Sequence, residues 1–225
     1  MAKFDFKSKS EKNSVSITCG YVYRHHPVYA DIKKIVESKK YGEVKYAKIN
    51  MRGNVVNKKS KQTWRNNSLG GGCLYDYGCH IIDLSIFLFG TPLKSKCISK
   101  ECLFTDGVVD RFTAELDSLS NNKIFISCDW SDSEVRKAGI DLEITFEECF
   151  LQSDGQNIKI SGNQEKNYSI KDLDTNVSYY LRGEEFQRQL DSFTFEVQNK
   201  VYNYKNAEEA AQSDKIILGF HEENV

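Results

Sequence analysis

The stretch "GGGCLYDYGCHIIDLSIFLFG", residues 70–90, decides how the rest of the chain is interpreted. Three glycines lead into an apolar segment that ends at Gly90, a favoured residue just after a helix, and Pro92 follows. The pattern predicts one helix from about residue 73 to residue 89. Glycines at its start would let a ligand approach the helix N-terminus closely, where negative charge is favoured.

Two polar side chains make this predicted helix a candidate site. Asp76, His80 and Asp83 are spaced i, i+4 and i+7, so they share one face of a helix. A carboxylate beside an imidazole can raise the histidine pKa, fix its tautomer and hold it for proton transfer. From spacing alone, a solvent-facing stripe with an ordinary i, i+4 pair is the favoured interpretation. A metal site that adds His25 or His26 is weakly supported, since no third ligand stands at a telling spacing.

Bulk composition excludes several classes of protein. The 225 residues suffice for one large domain or two small ones, and the net charge of −1 indicates neither a nucleic-acid nor an anionic-membrane partner. No apolar run approaches 18 residues, which argues against a membrane span, and the polar N-terminus lacks a signal peptide. The seven cysteines form no CxxC pair. We therefore expect a cytoplasmic protein with reduced thiols and no bound metal.

Hydrophobic periodicity predicts the order of the elements. A buried strand is expected at residues 14–23, a helix that opens at Pro27, and a strand at residues 43–52, followed by a long loop at residues 53–72. Alternating segments then predict antiparallel strands, with a hairpin turn at Asp154-Gly155. Two helices close the chain: the first carries an apolar stripe (Phe186, Leu190, Phe193, Val197), and the second opens with Asn206 and Glu209 spaced as a capping box and buries Ala210, Ile217 and Leu218. The fold class is therefore α+β, an open, mostly antiparallel sheet with helices on one face.

The motif in residues 70–90 resembles the signature helix of the glucose–fructose oxidoreductase, inositol dehydrogenase and rhizopine catabolism family (Gfo/Idh/MocA). The family pattern is roughly GGG-x-L-x-D-x-G-x-H-x-x-D, closing in L-x-G, and this chain fits it at every specified position. "GYVYRHHP" at residues 20–27 resembles the crossing between the family's two domains, "TWR" at 63–65 the loop before the glycines, and "NAEEAAQSDKIILGF" the terminal helix. The resemblance extends over about residues 15–222.

The resemblance implies a role for each of these residues. His80 would be the acid/base in hydride transfer between a sugar or polyol and NAD or NADP, with Asp76 as its partner. Five further residues would contact the substrate: Tyr23, Arg24, Trp64, Arg65 and Asp83. The family's C-terminal α+β domain also supplies an oligomer interface through its sheet face, so a homodimer or larger assembly is expected.

One departure from the family limits these implications. The sequence contains no GxGxxG, and a βαβ unit of about thirty residues cannot fit before residue 14. The Glu-Lys-Pro motif that carries the family's catalytic lysine is also missing. Residues 1–23 are accordingly interpreted as a remnant of a Rossmann domain, its last strand, and residues 24–225 as a substrate-binding and oligomerisation domain. We expect this chain alone to bind no NAD(P), and a separate Rossmann-domain partner is possible.

Three functions remain open at this point. The first is the substrate-binding and acid–base half of an NAD(P)-dependent sugar or polyol dehydrogenase, not competent for hydride transfer alone. The second is a non-enzymatic binding or scaffold protein that kept the fold, and the third is an unrelated α+β domain. Asp76 together with His80 favours the first, because a scaffold has no physical need for the pair. Lys58, Lys59 and Lys61 could steer an anionic sugar or form a solvated basic loop.

Overall fold

The computed structural model describes residues 5–55, 71–118, 122–135, 137–162, 165–173 and 183–223. The helices are α1 (Phe6–Asn13), α2 (Pro27–Ser38), α3 (Cys73–Asp76), α4 (Gly78–Phe89), α5 (Glu184–Gln198) and α6 (Lys205–Glu222), with short 3₁₀ helices at Val22–His25 and Ile170–Asp172. The strands are β1 (Val44–Arg52), β2 (Lys94–Glu101), β3 (Arg111–Asp117), β4 (Lys123–Asp129), β5 (Gly139–Phe146), β6 (Cys149–Ser153), β7 (Asn157–Gly162) and β8 (Lys166–Ser169).

The strands form one sheet in the order β2-β3-β4-β1-β5-β6-β7-β8. Among the described strands, β1 and β4 run parallel and each other neighbouring pair is antiparallel. The predicted fold class, an open, mostly antiparallel α+β sheet, is confirmed. Burial alternates along β1, where Ala47 and Ile49 are sealed in the core and Lys48 and Arg52 are exposed. One face of the sheet therefore packs under the helices while the other is open and polar.

Helix α4 is the centre of the helical layer. Most of its residues are buried, as expected for a helix that is apolar on several sides. At its N-terminus Gly78 lies so close to β3 that a Cβ there would come within 2.9 Å of the Phe112 ring. Phe112 also meets Phe220 of α6, with ring centroids 6.4 Å apart. Glycine at position 78 thus allows α4 to approach the sheet closely.

Several local predictions about the chain termini were wrong. Residues 15–21 form no strand; Ile17 N–H donates to the Asn203 carbonyl at 2.9 Å, so the segment lies along the α5–α6 connection instead. Asn206 does not cap α6, because its Oδ1 accepts from Cys19 N–H at 2.5 Å. Leu218 is exposed, whereas Ala210 and Ile217 are buried as predicted. Helix α1, strand β2 and strand β8 were not anticipated.

The predicted helix at residues 73–89 is present but divided. The chain leaves regular α-helical bonding at Tyr77, and the His80 N–H donates to the Tyr77 carbonyl three residues earlier, at 3.1 Å. The predicted C-cap is confirmed at Gly90, whose φ of +87° lies in the left-handed region. The break separates Asp76, at the end of α3, from His80 and Asp83, on α4.

A buried ion cluster joins the 3₁₀ helix to two helices of the layer. The Arg24 guanidinium donates to both Asp83 oxygens on α4, at 2.8 and 2.6 Å, and also to Glu209 on α6. The Arg24 and Asp83 side chains are only 8% and 2% exposed. A guanidinium removed from water in this way requires carboxylate partners, so these contacts fix the position of residues 22–25.

We predict that Asp83→Asn lowers the free energy of unfolding by about 3 kcal/mol, because it leaves a buried arginine with one carboxylate instead of two. The control is Glu37→Gln, which removes an exposed i, i+4 pair with Lys33 and should cost less than about 0.5 kcal/mol. Urea denaturation of the three proteins measures both values. Equal stability of the two variants would contradict the assigned role of the cluster.

Candidate functional site

His80 lies in an aromatic surrounding near the N-terminus of α4. The ring of Tyr21 meets the imidazole edge-on, with centroids 6.0 Å apart and planes at 86°, and Tyr23 does so at 5.4 Å and 85°. The Nδ1 atom of His80 is buried and has no hydrogen-bond partner among the residues that the structure describes. Burial lowers the pKa of His80, because the charged imidazolium is poorly solvated there.

Asp76 is the nearest acidic influence on this imidazole. Its charge opposes the effect of burial and favours the protonated form of His80. Asp76 ends α3 and is half-buried. It acts on His80 through its charge, across the break between α3 and α4. A carboxylate that favours the protonated imidazole in this way can assist proton transfer.

The glycines before α3 have a role that differs from the expected one. Gly72 has a φ of +88°, and a Cβ at this position would lie 2.9 Å from the Val109 carbonyl oxygen. The Cys73 N–H donates to the same oxygen at 2.7 Å. The close approach at Gly72 is thus made by the chain's own backbone rather than reserved for a ligand, and it fixes the first turn of α3 on the loop before β3.

Arg24 and Asp83 occupy a different setting from the one expected for substrate contacts. Their charged groups face each other inside the ion cluster, and Glu209 takes a further Arg24 N–H. Burial raises the pKa of Asp83 to about 6 although the Arg24 guanidinium favours the ionised carboxylate. A sugar could reach either side chain only by displacing its partner, so the geometry favours a structural role for both.

Of the other expected substrate contacts, only Tyr23 is among the residues that the structure describes. Tyr23 is half-buried against His80, and burial raises the pKa of its phenol. Trp64 and Arg65 lie outside the described residues, as do Lys58, Lys59 and Lys61. Sequence reasoning did not single out Tyr21, the second ring on His80. The available signal was the alternation of tyrosines in "GYVYR" just before the arginine.

A large groove lies on the opposite, open face of the sheet. Its volume is about 740 Å³. Its lining is mostly polar and charged and includes Lys48, Asn50, Arg52, Asp129, Asp141 and Glu143. Many of these charges already pair: Arg52 donates to Asp141 at 2.9 Å. Because the helices carry His80 on the other face, this groove is separate from the candidate site.

Two searches of the described residues gave negative results. None of the helices there is long and apolar enough to cross a lipid bilayer. Within the same residues, no three histidine, cysteine, aspartate or glutamate side chains are grouped as metal ligands would be.

Comparison with known proteins matches the chain to one family. Residues 29–152, more than half of the chain, match the family model described as the GFO/IDH/MocA C-terminal domain. The chain is also similar to the glucose-6-phosphate 3-dehydrogenase of Bacillus subtilis (strain 168), with 24% identity over 149 residues, which cover 61% of this chain and 42% of that enzyme.

Solved structures share the fold over nearly the whole chain. The apo form of a levoglucosan dehydrogenase has a TM-score of 0.76 at 13% identity and covers 92% of this chain and 65% of its own. An NAD-binding oxidoreductase from Klebsiella pneumoniae has a TM-score of 0.77 at 15% identity, with coverages of 93% and 64%. The levoglucosan dehydrogenase has also been solved in complex with NADH and levoglucosan, with a TM-score of 0.75 at 14% identity and coverages of 92% and 64%. The chain thus spans less than two thirds of the length of these relatives.

We predict that His80 makes folding sensitive to acid. Its folded pKa is lowered below the usual value of about 6.5, so the unfolded chain binds the proton more readily, and the stability contribution present above pH 6.5 is lost as the pH falls through the folded pKa. The wild type should therefore lose stability relative to His80→Asn between about pH 7 and pH 5. Denaturant titrations at several pH values measure this difference; a constant difference would contradict the prediction.

Proposed function

Since this chain belongs to the GFO/IDH/MocA family of oxidoreductases through its C-terminal domain, we propose that it is the substrate-binding and acid–base half of an NAD(P)-dependent sugar or polyol dehydrogenase. The setting of the His80 imidazole, beside two tyrosine rings and under the influence of the Asp76 charge, is the observation that carries this proposal. His80 takes the proton of the reacting hydroxyl, and Asp76 stabilises the imidazolium that forms. NAD or NADP, when bound, accepts the hydride.

The cofactor belongs to a part that this sequence does not contain. The chain has no dinucleotide fingerprint and spans 64–65% of the structural relatives cited above, one of which was solved in complex with NADH. We infer that a Rossmann domain, on a separate chain or in the remainder of a longer one, completes the enzyme. The chain as it stands binds a sugar and holds the proton-transfer group, and it transfers no hydride alone.

Exposed apolar side chains on α5 support the proposal that a further domain packs against this helix. Its predicted apolar stripe is present, yet Leu190 and Val197 are 49% and 54% exposed, and no residue of this helix is fully buried. Phe193 and Val197 border a groove of about 400 Å³ beside residues 14–16. Apolar side chains exposed together in this way mark a contact surface.

The substrate class follows from the relatives by analogy. Their names include glucose-6-phosphate and levoglucosan, so we propose a sugar or a sugar phosphate as the substrate of this chain. The basic residues Lys58, Lys59, Lys61 and Arg65 favour the phosphorylated class, and Trp64 can stack on a sugar face. Tyr23 adds an aromatic wall beside His80.

We predict that a cognate sugar perturbs the His80 imidazole of the isolated chain. Proton NMR of the histidine side chains is followed during titration with glucose 6-phosphate, levoglucosan, glucose and myo-inositol. Asp76→Asn should weaken binding about tenfold, equivalent to ~1.4 kcal/mol, whereas Asp106→Asn, in an exposed loop, should not. NADH should not bind, so calorimetric titration with NADH should show no heat of binding.

Two results would count against this function. If none of the four compounds shifts the His80 resonance, a scaffold role with the retained fold becomes the better account. A micromolar dissociation constant for NADH would show that the cofactor site is not missing.

We also propose that two copies associate through the open face of the sheet. Ile124, Ile126 and Cys128 of β4 are buried on the core face as expected, and Phe125 points to the opposite face. There it meets the Tyr46 ring at a centroid distance of 5.3 Å. The rest of this face is more polar than the sequence suggested, and Tyr179 and Tyr180 lie outside the described residues. Half-buried aromatic rings among paired charges are typical of a protein–protein interface that is exposed to water when the partners are apart.

We predict that Phe125→Lys converts an oligomer into a monomer of 25.8 kDa, because a charge would be buried at the centre of the contact. Leu103→Lys, which alters an exposed side chain in the β2–β3 loop, is the control and should not change the mass. Sedimentation equilibrium at micromolar concentration distinguishes these outcomes. A wild-type chain that stays monomeric on concentration would refute the interface.

A further inference from the structure

No group of the described residues forms a hydrogen bond with Nδ1 of the His80 ring. In most sites that use an imidazole for proton transfer, one ring nitrogen is held by a carboxylate or a carbonyl, and the other does the chemistry. Here Nδ1 is buried without a partner. Something other than a hydrogen bond at Nδ1 must therefore keep the ring from turning about its side-chain torsions.

The described contacts that remain for the ring are aromatic. Tyr21 and Tyr23 both stand nearly perpendicular to the imidazole, at 86° and 85°. Edge-to-face packing is directional, because the positive edge of one ring faces the negative face of another. Two such contacts restrict both tilt and rotation of the ring between them.

Tyr23 has a second aromatic contact besides His80. Its ring meets Tyr29, a buried residue of α2, nearly perpendicularly at a centroid distance of 5.9 Å. The next residue, Arg24, is tied to Asp83, which follows His80 by three positions on α4. The tyrosine and the helix that carries the imidazole are thus held to each other on both sides of the contact.

We infer that Tyr23 is a positioning residue for His80: its ring, anchored by Tyr29 and by the Arg24–Asp83 pair, sets the imidazole orientation that a hydrogen bond to Nδ1 would otherwise set. This inference rests on the proposed function only in giving His80 its chemical task. The ring does the work, and the phenol oxygen has no part in it. This positioning role is different from the substrate contact that the resemblance implied for Tyr23.

The test follows the His80 side chain by proton NMR in the isolated chain, with the resonance assigned by its loss in His80→Asn. Tyr23→Phe keeps the ring and should leave both the Cε1–H chemical shift and the titration midpoint of His80 at their wild-type values. Tyr23→Met removes the ring current and admits water, so the resonance should move and the midpoint should rise toward the ordinary value of about 6.5.

Tyr41→Met is the matched control. Tyr41 is a buried tyrosine whose ring meets Phe146 at 6.1 Å, at a different place in the core. It should lower the melting temperature without altering either His80 signal. If Tyr23→Met does not fold, Tyr21→Met provides the same comparison on the second ring.

Two outcomes would overturn the inference. In the first, Tyr23→Met leaves the chemical shift and the titration midpoint of His80 unchanged. In the second, Tyr23→Phe changes them as much as Tyr23→Met does. Neither outcome depends on a sugar. A chain in which the Tyr23 variants behave as expected but no sugar binds would reject the proposed function and leave the positioning role intact.

Discussion

A single buried guanidinium organises the helical side of this protein. Arg24 has more donors than any one carboxylate can accept, and its position beneath the surface removes water as an alternative partner. Asp83 and Glu209 come to it from two different helices, so α4 and α6 can pack only where both carboxylates reach the same group. Apolar packing alone would permit several relative positions of these helices; the ion cluster selects one.

The candidate site depends on this arrangement although none of the cluster's charges faces it. The residues that precede Arg24 carry the two tyrosine rings, and the residues that precede Asp83 carry the imidazole. Fastening the two segments together at the ion pair therefore also fixes the rings on His80. The charges of the ion cluster hold the helices in place, whereas the charge of Asp76 acts on His80.

The two faces of the sheet divide the remaining tasks. The helical face is filled mostly with aliphatic and aromatic side chains, and the Arg24–Asp83–Glu209 cluster is buried among them. The open face carries ordered pairs of opposite charge, such as Arg52 with Asp141 and Lys123 with Glu115. Exposed pairs of this kind contribute little to the stability of the fold. Their presence on this face is better explained by the proposed contact between two copies.

Sequence reasoning was accurate where the relevant information is local. Strand alternation, Pro27 at the first turn of α2, the hairpin at Asp154-Gly155 and the helix end at Gly90 all depend on a few adjacent residues, and the structure has each of them. The i, i+4 spacing singled out Asp76 and His80, and the Asp76 charge does act on the imidazole although the helix divides between them. Predictions failed where distant contacts decide. An apolar, β-branched segment such as residues 14–21 forms a strand only if another strand is available to pair with it, and here a loop is available instead.

The partners of Arg24 could not be predicted for the same reason. They lie 59 and 185 residues away in the chain, and neither carboxylate has a sequence pattern that distinguishes it from a solvent-exposed one. Asn206 and Glu209 even fit a local capping motif, yet both side chains reach across to residues 19–24. A buried backbone N–H and a buried cation bind these groups more strongly than the exposed first turn of a helix does.

The position of β1 in the sheet has a consequence for how the chain folds. This strand is made early in the sequence but pairs with β4 and β5, in contacts such as Asn50 with Ser127 and Arg52 with Asp141, which are 77 and 89 residues apart. During synthesis the two edges of β1 therefore stay unpaired until the partner residues on β4 and β5 follow, 77 and 89 residues later. The charged residues on its open face, Lys45, Lys48 and Arg52, keep that waiting strand from pairing with its copies on neighbouring chains.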